Sequence, residues 1–145
     1  MSELHGKCSC GEVEFKFTTD ALVAYQCHCS ICRKATGSAF STTLMTAEDT
    51  FVWLLGKEKI SSYSKKSGYK VNFCSNCGSP VPNKFRNFPL FSVPVGSLDN
   101  SDDIEIAVQI FLDSRAAWDK EKIAGEQFST MPSLDEMFEM MHVDV

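Results

Sequence analysis

Seven cysteines fall in three tight groups, and no other cysteine occurs in the chain: Cys8 and Cys10, then Cys27, Cys29 and Cys32, then Cys74 and Cys77. Cysteines used only as small apolar residues scatter along a sequence. Spaced one to three residues apart, they bring several soft thiolates to one point, as a thiophilic divalent metal requires. Structural zinc sites close with four protein ligands, whereas catalytic sites keep three and leave a position for water or substrate. Seven divides into four and three. The spacing therefore predicts one closed centre and one open centre, and a fold that brings distant segments together around them.

Compartment and charge narrow the chemistry. Met1–Gly6 lacks the basic and apolar regions of a signal peptide, and no run of about eighteen apolar residues occurs. A cytoplasmic location is expected, with no membrane association. There, clustered cysteines serve as metal ligands or redox groups more often than as a disulfide framework. An odd count would also leave one cysteine unpaired. The net charge is −5, and the compact basic groups, Arg33-Lys34 and Lys65-Lys66, are only two residues long. A phosphate backbone needs a broad basic face, so nucleic acid is excluded as a partner.

Period-two alternation dominates and predicts a mainly β chain. Val13, Phe15 and Phe17 alternate with charged residues. Further strands are expected over 21–26, 38–46, 51–55, 60–64, 69–73, 90–95 and 104–111, with 60–64 and 69–73 forming a hairpin around Lys65-Lys66-Ser67-Gly68. The tail changes period: Ser133-Leu134-Asp135-Glu136 fits a capping box, and Leu134, Met137, Phe138 and Met141 share a helical face. Residues 1–132 are expected to form one zinc-binding β domain, with 133–145 a helical tail packed on it.

Cys8, Cys10, Cys74 and Cys77 each adjoin an expected strand, and a sheet could unite the two pairs as a structural zinc site. Gly11 and Gly78 follow them, giving the ligand loops backbone freedom. Cys27, Cys29 and Cys32 lie within six residues and must share one centre. Either that centre is open, suited to a thiol cosubstrate, or His5, His28 or His142 closes it as fourth ligand. A Cys29/Cys32 dithiol fits less well, since a third thiol sits beside it and no thioredoxin-like βαβ pattern surrounds it. His28 is a candidate proton carrier. Arg33 and Lys34, directly after the cluster, are candidate contacts for an anionic thiol.

Taken together, Gly6-Lys7-Cys8-Ser9-Cys10-Gly11-Glu12-Val13, Cys27-His28-Cys29-Ser30-Ile31-Cys32-Arg33-Lys34-Ala35-Thr36-Gly37-Ser38 and Phe73-Cys74-Ser75-Asn76-Cys77-Gly78-Ser79 resemble the glutathione-dependent formaldehyde-activating (Gfa-like) enzymes. The resemblance runs from about Gly6 to Pro132. It implies an Mss4-like fold of packed antiparallel sheets, a structural zinc on Cys8, Cys10, Cys74 and Cys77, and a second zinc on Cys27, Cys29 and Cys32. It also implies carbon–sulfur lyase chemistry, the addition of glutathione to formaldehyde giving S-hydroxymethylglutathione. The chain departs from the family pattern at Gln109, where a histidine is common nearby, and at Ala117, where a proline often precedes the tryptophan. From the residues two other readings stand beside this one: a zinc-stabilised binding module with both metals structural, and the same mechanism on another small electrophile.

Overall fold

The alternation read from residues 13–17 becomes strand β2 (Glu14–Thr19), which buries Phe15, Phe17 and Thr19 and leaves the intervening residues partly exposed. In the computed structural model, which describes residues 1–145, β2 pairs antiparallel with β1 (Ser2–Lys7) and with β5 (Phe51–Leu55). A second sheet holds six strands in the order β12 (Glu126–Gln127), β11 (Glu105–Ile110), β3 (Val23–Cys27), β4 (Ser41–Ala47), β10 (Leu90–Pro94) and β9 (Asn83–Lys84). A third consists of β6 (Ile60–Ser64), β7 (Lys70–Cys74) and β8 (Pro80–Val81), all antiparallel. The architecture is mainly β, built on antiparallel sheets, with a short C-terminal helix, α2 (Leu134–Met140).

One strand departs from the antiparallel rule: β11 runs parallel to both β3 and β12. This brings the C-terminal ends of β3 and β11 side by side, with Ile110 opposite Cys27. The second group of cysteines thus starts where two parallel strands end together. Helix α1 (Ser30–Thr36) follows at once and carries no fully buried residue.

The first and second sheets pack through Leu4, Phe15, Phe17, Leu44, Val93 and Leu98. Phe51 stacks on Phe91 with ring centroids 4.1 Å apart, and Trp53 meets Phe51 edge-on at 4.9 Å. Full burial of each such side chain contributes about 1.5–3 kcal/mol, which holds the two layers face to face. Helix α2 closes the other side of the second sheet. Its Met137 and Phe138, with the following Met141, are buried against Met45, Leu90, Val108, Ile110 and Cys27. Ser133 caps the helix as expected, its Oγ accepting from the Glu136 N–H at 3.1 Å, but the Glu136 carboxylate accepts from the Ser133 hydroxyl at 2.9 Å rather than from its N–H, so only the serine half of the capping box is made.

Candidate metal centres

Two loops of similar build meet at the first centre. After β1, the Cys8 N–H donates to Val13 O, the Gly11 N–H closes a turn onto Cys8 O, and the Val13 N–H points at Cys8 Sγ from 3.3 Å. After β7, the Cys74 N–H donates to Ser79 O, and the Gly78 N–H returns to Cys74 O at 2.8 Å. Gly11 and Gly78 take left-handed φ values of 78° and 77°, which other residues adopt only under strain. The Ser9 N–H donates to Ser79 Oγ at 3.1 Å and ties one loop to the other.

The four sulfurs of Cys8, Cys10, Cys74 and Cys77 all lie within 4.8 Å of one another. Two of the separations are 3.6 Å (Cys8–Cys10) and 3.8 Å (Cys10–Cys74). A tetrahedron of thiolates at about 2.3 Å from a zinc ion has edges of about 3.8 Å, whereas a disulfide needs roughly 2.05 Å. The donor set and its spacing fit a divalent metal. Such a centre joins the first sheet to the third.

Hydrogen bonding also prepares these thiols. Burial opposes ionisation of Cys8, yet the Val13 N–H and the neighbouring sulfurs hold its pKa below the usual thiol value. The Ser79 hydroxyl and N–H, with Cys10, bring Cys77 down to about 5.

Cys27, Cys29 and Cys32 form the second group, with their sulfurs also within 4.8 Å of one another. Cys27 ends β3, and the His28 N–H donates to Ile110 O at 3.1 Å. Cys29 caps α1, its sulfur accepting from the Cys32 N–H at 3.3 Å, and Gly37 ends the helix in the left-handed region. Hydrogen bonding from Cys27, with help from Ser41 and Cys29, lowers Cys32 to about 6 against the effect of burial. Cys27 is driven far up by the proton it shares with Cys32 and by its own burial.

None of the three histidines joins either group. His5 is exposed beside Glu3, 2.8 Å away. His142 lies just past α2. His28 is completely buried, with Nε2 2.6 Å from Gln109 Oε1 and its ring 5.2 Å from that of Phe40. Arg33 is half-buried with Nε lacking a partner, and Lys34 is exposed.

Lys34 also lines a cleft of about 490 Å³ between α1 and the β6–β7 hairpin. Ser30, Ile31 and Ala35 share its helical wall; Tyr63, Lys65, Tyr69, Val71 and Phe73 form the other. Tyr69 sits close enough to the second group that its phenol is raised to about 12, first by burial and then by the charge of Cys32, Cys29 and Cys27. From the sequence Lys65 reads only as part of a basic pair in a turn and Tyr69 only as the start of a strand, neither as a wall of a site. Only the hairpin fold-back sets them opposite α1, and no local motif marks that contact.

The profile of the family described as "Glutathione-dependent formaldehyde-activating enzyme" matches residues 3–114, which include all seven cysteines. The chain belongs to this family. A Halomonas elongata protein named "Putative glutathione-dependent formaldehyde-activating enzyme" is 33% identical over 106 residues, covering 68% of this chain and 67% of that relative. The crystal structure of a Rhodobacter sphaeroides protein superposes with a TM-score of 0.55 at 25% identity, covering 66% of this chain and 88% of that one. Membership thus agrees with the resemblance carried by the cysteine blocks. No helix is long and apolar enough to cross a membrane.

Proposed function

We propose that this chain catalyses the reversible addition of a thiol such as glutathione to a small aldehyde such as formaldehyde, as a zinc-dependent carbon–sulfur lyase-type enzyme. The observation that carries the reading is the second cysteine group: three sulfurs gathered within 4.8 Å, joined by no fourth protein donor and lying beside a cleft. Two zinc ions per chain are the cofactors the donor sets fit, one on Cys8, Cys10, Cys74 and Cys77 and one on Cys27, Cys29 and Cys32. A zinc ion on the three-cysteine group supplies the Lewis acidity that keeps a cosubstrate thiol deprotonated near neutral pH.

The chain's own residues do the rest. Lys34, on α1, and Lys65, on the hairpin, both line the cleft and attract the carboxylates of an anionic thiol, with Arg33 next to Cys32 in the chain. In the addition a carbon–sulfur bond forms, the carbonyl π bond breaks, and the proton lost by the thiol ends on the new hydroxyl. His28 was the sequence's candidate to carry that proton, but it has no exposed surface and its Nε2 is engaged by Gln109. This favours Tyr69 as donor: its phenol lies in the cleft, close enough to the second group to feel the charge of Cys32, Cys29 and Cys27.

Exchange NMR of a thiol–aldehyde panel, run beside metal analysis, tests the reading. Two zinc ions per chain and accelerated hemithioacetal formation are expected. Cys32→Ala should lose one ion and at least about 100-fold in rate, the scale of catalysis by a well-placed group. Full turnover in Cys32→Ala would end the proposal, and a chain with two tightly held metals but no activity on the panel would point to a binding module.

A further inference from the structure

The residue between Cys27 and Cys29 belongs to a chain of hydrogen bonds that is fully buried at His28 and Gln109 and partly buried beyond them. Gln109, on β11, is fully buried. Its amide nitrogen donates to Gln26 Oε1 at 2.8 Å and to Ala124 O at 3.0 Å. Both amide hydrogens are thereby used, so Oε1 faces His28 as an acceptor. His28 Nε2 carries the hydrogen that completes the 2.6 Å contact. On the far side, Asp119 Oδ2 stands 4.0 Å from His28 Nδ1. Asp119 is itself gripped by Arg115 through contacts of 3.1 and 3.3 Å, and Arg115 also donates to Glu121 O.

We propose that Gln109 is a positioning residue for the three-cysteine centre, acting through His28. The inference rests on the reading of Cys27, Cys29 and Cys32 as a metal centre. His28 is flanked by two of the three ligands. Its main chain is bonded to Ile110 O and its ring to Gln109, so residue 28 is fixed at both ends. A ligand loop that turns from a strand into a helix within three residues has no repetitive structure of its own to hold it. Groups behind the ligands that set their orientation commonly alter metal affinity by about 10–100-fold when removed. The same bonds tie Ala124, and so the segment after β11, to the cysteine loop. A rearrangement of that segment would therefore be felt at the sulfurs.

The test compares the two centres of one molecule. Wild-type protein, Gln109→Leu, Gln109→Glu and Gln109→Asn are loaded with Co2+, and metal release to a chelator is followed by the thiolate-to-cobalt absorption. Wild type is expected to release in two phases, the four-cysteine centre more slowly. Gln109→Leu should speed only the faster phase, by about 10–100-fold, and shift the ligand-field bands of that centre. Gln109→Glu keeps the acceptor for His28 but gives up the hydrogens donated to Gln26 and Ala124, so it should release metal more slowly than Gln109→Leu without reaching the wild-type rate. Gln109→Asn keeps the amide but falls one methylene short; it should behave like Gln109→Leu, and it provides the comparison if Gln109→Leu does not fold. Two phases accelerating together, or neither moving, would overturn the inference. A wild-type chain binding a single ion would overturn the metal reading itself, and this inference with it.

Discussion

Sγ of Cys10 lies 3.8 Å from Sγ of Cys74, sixty-four residues away in the sequence. No strand pairs β1 with β7, so these two sheets are fastened at this corner by the sulfurs, the Ser9–Ser79 bond, the small buried cluster of Cys8, Val13, Cys74 and Val81, and the Lys59–Glu12 ion pair. A metal bound there is bound only by the folded chain, and its binding free energy is folding free energy. Cys74→Ser should therefore lower stability by about 3 kcal/mol or more, seen as a fall in Tm of roughly 10 °C. Cys32→Ser, at the other centre, should cost much less. Equal losses from the two variants would remove the distinction between a structural and an active centre.

The metal-free protein should show an order of thiol reactivity. Cys77 is exposed and held at about 5, whereas Cys32 is half-buried and held at about 6. Cys27 is buried and pushed well above the ordinary thiol value. Thiolates are the nucleophiles, and access decides among them. With a limiting alkylating agent at pH 7, peptide mass mapping should find Cys77 modified first, Cys32 next and Cys27 last. Early labelling of Cys27 would contradict this ordering. Prior loading with zinc should protect all three.

The tail helix bears on the second centre as well as on stability. Met137, Phe138 and Met141 share a core cluster with Cys27, and Cys29 and Cys32 pack at its margin. Phe85 and Phe88 meet Phe138 edge-on, with centroids 6.0 and 5.1 Å away. Met137→Ala should cost about 2–5 kcal/mol, as expected for a truncated core residue. Ser133→Ala removes only the cap and should cost about 1 kcal/mol. Urea unfolding would measure both. A neutral Met137→Ala would show that the tail does not contribute to the core.

What the sequence revealed, and what it hid, follows from the range of the interactions. The β6–β7 hairpin was legible because Lys65–Gly68 is a local turn, closed by the Gly68 N–H on Lys65 O. Strand β2 and the face of α2 were legible because alternation and 3.6-residue spacing survive in one segment. Helix α1 escaped detection: it buries no side chain completely, so it leaves no apolar stripe, and a cysteine sulfur caps it. Strand β1 has a single large buried side chain, Leu4, too little for a pattern. The two cysteine groups were readable from spacing, and the structure gathers the sulfurs of each within 4.8 Å of one another. Gln109 was noticed only as a departure from a family pattern, because its partner His28 lies 81 residues away.

Gly56 provides a prediction about how the first centre is framed. Its φ is +77°, and a Cβ there would stand 1.9 Å from Glu12 O. Glu12 lies between the Cys10-Gly11 turn and Val13, whose N–H is bonded to Cys8 Sγ. A methyl group at position 56 therefore presses main chain against main chain, with no flexible side chain to give way. The left-handed conformation alone costs a non-glycine residue about 1–2 kcal/mol. Gly56→Ala should lose at least about 2 kcal/mol in all and release metal faster from the four-cysteine centre. Gly96, where an added Cβ meets nothing within 4 Å, is the control, and Gly96→Ala should stay within about 0.5 kcal/mol of wild type. If the two substitutions unfolded at the same urea concentration, the close approach at Glu12 would not constrain the metal loop.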